Sequence, residues 1–140
     1  VSPRHRDGAD GMLDPCEAVT MWFALEDVDE ENGCIRYLPG SHRNGMREHS
    51  RTKTLGFSQG IVGYPTALER ESETPFPAKP GDLLVHDAMT IHRADGNRSM
   101  TRSRRALGFI YYSERAREDT QAHAAYQRRL AKEMKSQGKI

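Results

Sequence analysis

The sequence predicts a mainly β domain, a sandwich or barrel, ending in a helical segment. Three observations predict it. Short β-branched and aromatic runs recur at close spacing, Gly and Pro turns punctuate them, and the composition changes to Ala, Arg, Glu, Lys and Gln after Tyr112. At 140 residues the chain is one domain or part of one.

Val19-Thr20-Met21-Trp22-Phe23-Ala24-Leu25 reads as a buried strand, because β-branched and aromatic side chains fit a pleated surface. An acidic turn from Glu26 to Gly33 follows, and its Asn32-Gly33 end supplies the positive φ of a tight return. Cys34-Ile35-Arg36-Tyr37-Leu38 is expected to come back as an antiparallel strand and to stop at Pro39-Gly40-Ser41-His42. Two short strands follow, Thr74 to Ala78 and Asp82 to His86, separated by the Lys79-Pro80-Gly81 turn. A last strand runs from about Arg104 to Tyr112. Residues 43–73 show no sustained period and read as a long loop or lid. Ser113 is placed to cap a helix over Glu114 to Gln137, whose thin apolar stripe (Ala116, Ala124, Leu130, Met134) suits a surface or docked helix.

Composition narrows the function. With 21 Lys+Arg against 20 Asp+Glu the formal charge is +1, so no global field favours nucleic acid or a membrane surface. No apolar stretch is long enough for a transmembrane helix. A mean hydropathy of −0.81 suits a modest core with arginine-rich loops, or a piece of a larger fold. Cys16 and Cys34 stand apart with no C-x-x-C pairing, which argues against structural zinc and fits reduced thiols in the cytoplasm.

His5-Arg6-Asp7 sets an imidazole and a carboxylate two positions apart, on one side of an extended segment, so both can reach one ion. A second imidazole completes the two-His, one-carboxylate face that holds non-haem Fe(II) and leaves positions open. His92, after a strand and a turn, is the best candidate. The other histidines have plainer readings: His42 as a turn residue, His86 as a packed strand residue, His49 and His123 as solvent-exposed. Asp82 and Asp87 read as turn residues.

Thr20 to Asp27, then Glu31-Asn32-Gly33-Cys34 through Pro39-Gly40-Ser41-His42, resembles the phytanoyl-CoA dioxygenase family. So does Pro80-Gly81-Asp82-Leu83-Leu84-Val85-His86 running on to His92, with Asn97-Arg98-Ser99 and Arg104-Arg105-Ala106 after it. The resemblance implies a double-stranded β-helix (jelly roll, cupin-like) with a C-terminal helix. Residues 1–112 would form the C-terminal portion of the oxygenase domain, and 113–140 a helical segment of it. It implies an Fe(II)- and 2-oxoglutarate-dependent dioxygenase that uses O₂ to hydroxylate a small organic molecule, releasing succinate and CO₂. His5, Asp7 and His92 match the iron ligands. Trp22 and Thr20 match positions near the keto acid.

An arginine after the distal histidine pairs with the far carboxylate of the keto acid, where a planar guanidinium offers two parallel donors. Aligning on the basic residue and alanine that follow it selects Arg104; Arg102 and Arg105 compete, because one extra residue sits between His92 and the Arg-Arg-Ala block. Strand alternation would put Arg104, Ala106 and Gly108 on a roomy ligand face, and Leu107, Phe109 and Tyr111 on a packing face. Where many members carry a hydroxyl two places after the distal histidine, this chain has Ala94. Family members also have a first jelly-roll strand and helices before the metal pair, so the N-terminal part of the fold is expected to be missing. The reading from another class is a non-catalytic jelly-roll module that binds a metal or ligand. Halogenation, in which a halide takes the carboxylate's place on iron, is opposed by Asp7.

Overall fold

The β-branched and aromatic runs become strands, and their pairing sets them in two facing sheets. The computed structural model describes residues 2–7, 13–51 and 59–136. Along them lie β1 (Ser2–His5), β2 (Leu13–Asp14), β3 (Ala18–Ala24), β4 (Ile35–Tyr37), β5 (His49–Arg51), β6 (Gln59–Ile61), α1 (Ala67–Ser72), β7 (Thr74–Phe76), β8 (Leu83–Asp87), β9 (His92–Ala94), β10 (Ala106–Tyr112), β11 (Arg117–Glu118) and α2 (Thr120–Ser136). One sheet has the order β1-β9-β4-β7 and the other β10-β3-β8. All pairs in both are antiparallel. The chain passes back and forth between the two sheets, as a double-stranded β-helix requires.

Register decides which side chains look inward. Thr20 lies opposite His86 and Ile110, and Trp22 opposite Leu84 and Gly108. Residues opposite one another share a face, so Thr20, Trp22 and His86 look toward the other sheet. In that sheet Tyr37 lies opposite His92, and His92 opposite His5. At one end Ala24, Val28, Cys34 and Ala78 form a small core against which Trp22 packs.

Four expectations are corrected. First, β4 does not pair with β3; it crosses to the other sheet, between β9 and β7. Gly33 does take the positive φ, +92°. However, the buried Asn32 donates from Nδ2 to the Asp27 and Ser103 carbonyls, which pins the acidic turn across the gap between sheets. Second, residues 43–73 carry regular structure in their described part. A 3₁₀ turn (Ser41–Asn44) runs into the segment, β5 and β6 form a ribbon, and α1 starts with a capping box between Thr66 and Glu69. Third, the C-terminal helix begins at Thr120, because Arg117 and Glu118 pair with Asp14 and Leu13 first. Gln137 lies outside the described residues. Fourth, Leu107, Phe109 and Tyr111 are about half exposed (47%, 46% and 55%), since no described element covers the outer face of β10. Among the described residues no helix is long and apolar enough to cross a membrane.

Candidate metal centre

Asp7 lies two positions beyond the end of β1, and the H-x-D spacing places it where the two sheets meet. Its Oδ1 lies 3.6 Å from His92 Nε2, which brings the carboxylate and the distal imidazole together. His5 is the register partner of His92 in the backbone. Its side chain lies outside what the structure describes, so its expected role as a ligand rests on the H-x-D spacing, the family resemblance and that register.

The protonation pattern suits an ion. His92 Nδ1 is 3.0 Å from the Thr90 carbonyl, which can only accept, so Nδ1 carries the proton. Nε2 is then the ring's acceptor nitrogen, and it faces Asp7. Backbone carbonyls commonly set the tautomer of metal-binding histidines in this way. Carboxylate oxygen with imidazole nitrogen is a donor set that fits a divalent first-row metal such as Fe(II).

Two residues that sequence reasoning did not place here complete the cluster. His86, expected to be simply packed, brings Nε2 to 3.2 Å from Asp7 Oδ2. Asp7, His86 and His92 each present a ligand-type atom within 4.8 Å of the others. Tyr37 Oη lies 2.9 Å from His86 Nδ1. Burial, and then the charge of Asp7, push the Tyr37 phenol well above its ordinary range, so it stays protonated. Strand parity was the available signal: with Asp82–His86 read as a strand, Leu84 and His86 share one face.

Thr20, expected near the keto acid, donates from Oγ1 to Asp7 Oδ2 at 2.5 Å. Trp22 shares its face but is half-buried against the small core. Arg104 precedes β10 rather than lying in it, so strand alternation does not by itself orient it. The arginines after His92 differ in their partners. Arg102 is paired with Asp29 (2.8 Å) and Glu31, and Arg105 with Glu26 (2.7 Å). The Arg102 guanidinium and neighbouring backbone N–H groups lower the Asp29 carboxyl to about 2. Arg98 is exposed and donates to the Glu30 carbonyl. Half-buried Arg104 donates to the Gly33 carbonyl.

The remaining histidines lie apart from this cluster. His42 is exposed in the 3₁₀ turn. His49 is half-buried in the β5–β6 ribbon rather than exposed, with Nδ1 2.7 Å from the Arg47 carbonyl. His123 is half-buried and paired with Glu118. Asp82 and Asp87 accept from the backbone N–H groups of Lys79 and Met89, as turn residues do. Both cysteines are free thiols.

Residues 1–106 match the family model described as phytanoyl-CoA dioxygenase (PhyH). The chain is 32% identical over 104 residues to phytanoyl-CoA dioxygenase 1 of Oryza sativa subsp. japonica, which covers 74% of this chain and 36% of that protein. Among solved structures it is similar to EvdO2 from Micromonospora carbonacea var. aurantiaca complexed with 2-oxoglutarate. That match has a TM-score of 0.68 at 27% identity and covers 85% of this chain and 47% of that one. It is also similar to the epimerase SnoN in complex with Fe3+, alpha ketoglutarate and nogalamycin RO, with a TM-score of 0.65 at 26% identity, covering 82% and 43%. The chain thus spans between about a third and a half of the length of these relatives.

Proposed function

Because the chain belongs to the phytanoyl-CoA dioxygenase family, we propose that it is the metal-binding portion of an Fe(II)- and 2-oxoglutarate-dependent dioxygenase that hydroxylates a small organic molecule. The observation that carries the reading is the approach of Asp7 Oδ1 to His92 Nε2, with the His92 tautomer set by Thr90. His5 is the third ligand in this reading, supported by its register opposite His92. The metal and keto acid in the SnoN structure, on a similar fold, support the same centre here. When bound, iron in this ligand set supplies oxidative decarboxylation of 2-oxoglutarate to succinate and CO₂, coupled to oxidation of a C–H bond by O₂.

The chain's own residues contribute position and charge. Asp7 and His92 hold one face of the ion, and Thr20 fixes the second carboxylate oxygen. Arg104 is the cation for the far carboxylate of the keto acid, because Arg102 and Arg105 are already committed to carboxylates and Arg98 is exposed. A dianion that loses its water on entry needs such a fixed partner. Trp22, half-buried on the Thr20 face, lines the same pocket. Residues 43–73, with the α1 turn and the β5–β6 ribbon, are the segment proposed to meet the substrate. The two free cysteines accord with a reducing, cytoplasmic setting.

The test is succinate formation by the purified chain given Fe(II), 2-oxoglutarate and O₂, compared with His92→Ala. Succinate that depends on all three and disappears in the variant supports the reading. Metal binding with no succinate would refute catalysis by this chain and leave a binding module.

A further inference from the structure

We propose that His86, held in place by Tyr37, is a positioning residue that keeps Asp7 a one-oxygen metal ligand. The proposal rests on the reading of Asp7 and His92 as ligands. His86 lies within ligand distance of the centre, yet the hydrogen-bond chemistry assigns it another task. Asp7 Oδ2 already accepts from Thr20 Oγ1 at 2.5 Å and lies 3.2 Å from His86 Nε2. A carboxylate oxygen only accepts, so Nε2 carries the proton. A protonated ring nitrogen has no lone pair to give a metal. On the far side of the ring, Tyr37 O–H donates to Nδ1 across 2.9 Å and holds that tautomer.

Packing fixes the ring as well. His86 and Tyr37 are both buried, at 8% exposure each. The His86 ring centroid is 5.0 Å from that of Tyr37 and 4.4 Å from that of His92. The imidazole is therefore wedged between its hydroxyl partner and the second ligand. With Oδ2 engaged by Thr20 and His86, Oδ1 is the oxygen turned toward His92 Nε2. Tyr37–His86–Asp7 is thus a chain of donors that orients the carboxylate, the kind of outer support whose loss weakens metal sites.

Co(II) titration of the full chain, followed by calorimetry and by the visible ligand-field spectrum, tests this without turnover. His86→Ala is expected to weaken Co(II) binding about 10- to 100-fold and to change the spectrum as the carboxylate is released. His86→Gln, whose amide N–H can still reach Oδ2, should recover most of the affinity. Tyr37→Phe should move both readouts the same way by a smaller factor. Circular dichroism of each variant separates unfolding from lost binding. If His86→Ala does not fold, Tyr37→Phe decides, since it keeps the ring and removes only the hydroxyl. Wild-type affinity and spectrum in the decisive variant would overturn the proposal. So would a His86→Gln loss as large as that of Asp7→Ala, which would make His86 a ligand. A wild-type chain that binds no Co(II) would instead overturn the metal reading underneath.

Discussion

Gly33→Ala is the substitution from which the structure draws the sharpest number. Gly33 has φ +92°, and a Cβ built there would sit 2.4 Å from the Asp95 carbonyl oxygen. Two costs therefore add. An L-residue in the left-handed region costs about 1–2 kcal/mol. Relieving an overlap with backbone, which cannot rotate away like a side chain, costs about 1–3 kcal/mol more. Gly40→Ala is the internal control: its φ is +74°, but a Cβ there meets nothing within 4 Å. It should lose only the first amount, about 1–2 kcal/mol. Urea unfolding of both variants against wild type reads the difference, with the m-value checking that the transitions are comparable. Equal losses in the two variants would refute the claim that Asp95 backs directly onto the turn.

Three further outcomes are expected. Asp7→Ala should lower Fe(II) affinity at least about 100-fold in a binding titration, because it removes the one carboxylate ligand; unchanged affinity would eliminate the proposed centre. Arg104→Ala should raise KM for 2-oxoglutarate roughly 30- to 1000-fold, from about 2–4 kcal/mol for a desolvated charged pair, with little change in Fe(II) affinity. If Arg102→Ala or Arg105→Ala shows that effect instead, the alignment is off by the inserted residue. The carboxyl of Asp29 is depressed from 3.8 to about 2, so its pairing contributes stability above pH 3.8 that is lost as pH falls through about 2. Thermal melts should accordingly show wild type above Asp29→Asn at neutral pH, with the gap closing across that window; a gap independent of pH would contradict the assignment.

Element type, and Asp7 and His92 as candidates for one centre, could be read from residue types and spacing, because those signals are local. The β-branched run around Trp22, the Lys79-Pro80-Gly81 turn and the H-x-D pair each follow from chemistry within a few positions. Pairing could not be read this way. The Asn32-Gly33 turn has the backbone of a tight return, but Asn32 bonds to Ser103, 71 positions away, and carries β4 into the other sheet. The position of His86 is hidden for a related reason. A strand histidine is usually packed, and this one is, but only the register of β8 against β3 and the facing sheet show that it packs onto Asp7. The C-terminal helix starts at Thr120, later than local propensity over Glu114–Glu118 suggests, because the β2–β11 pairing that overrides it is not local.

The same distant pairings bear on which arginine the proposed reading assigns to the anionic co-substrate. Arg98, Arg102, Arg104 and Arg105 follow His92 within thirteen positions, and a pocket open to all of them would hold a dianion without a defined pose. The acidic turn between β3 and β4 narrows the choice. Glu26 takes Arg105, and Asp29 with Glu31 takes Arg102. Behind them Asp95 takes Arg36 and Arg93, tying the end of β9 to β4. Exposed pairs of this kind are a weak source of stability, because solvent screens them. Their larger effect is positional, because the loop between β9 and β10 is held at both charged ends while Arg104, between them, turns to the Gly33 carbonyl. A backbone carbonyl leaves the guanidinium's full charge uncompensated, which is the state in which it can recognise a carboxylate. In the proposed reading the acidic turn thus favours half-buried Arg104 by occupying Arg102 and Arg105, while Arg98, on the Glu30 carbonyl, stays exposed.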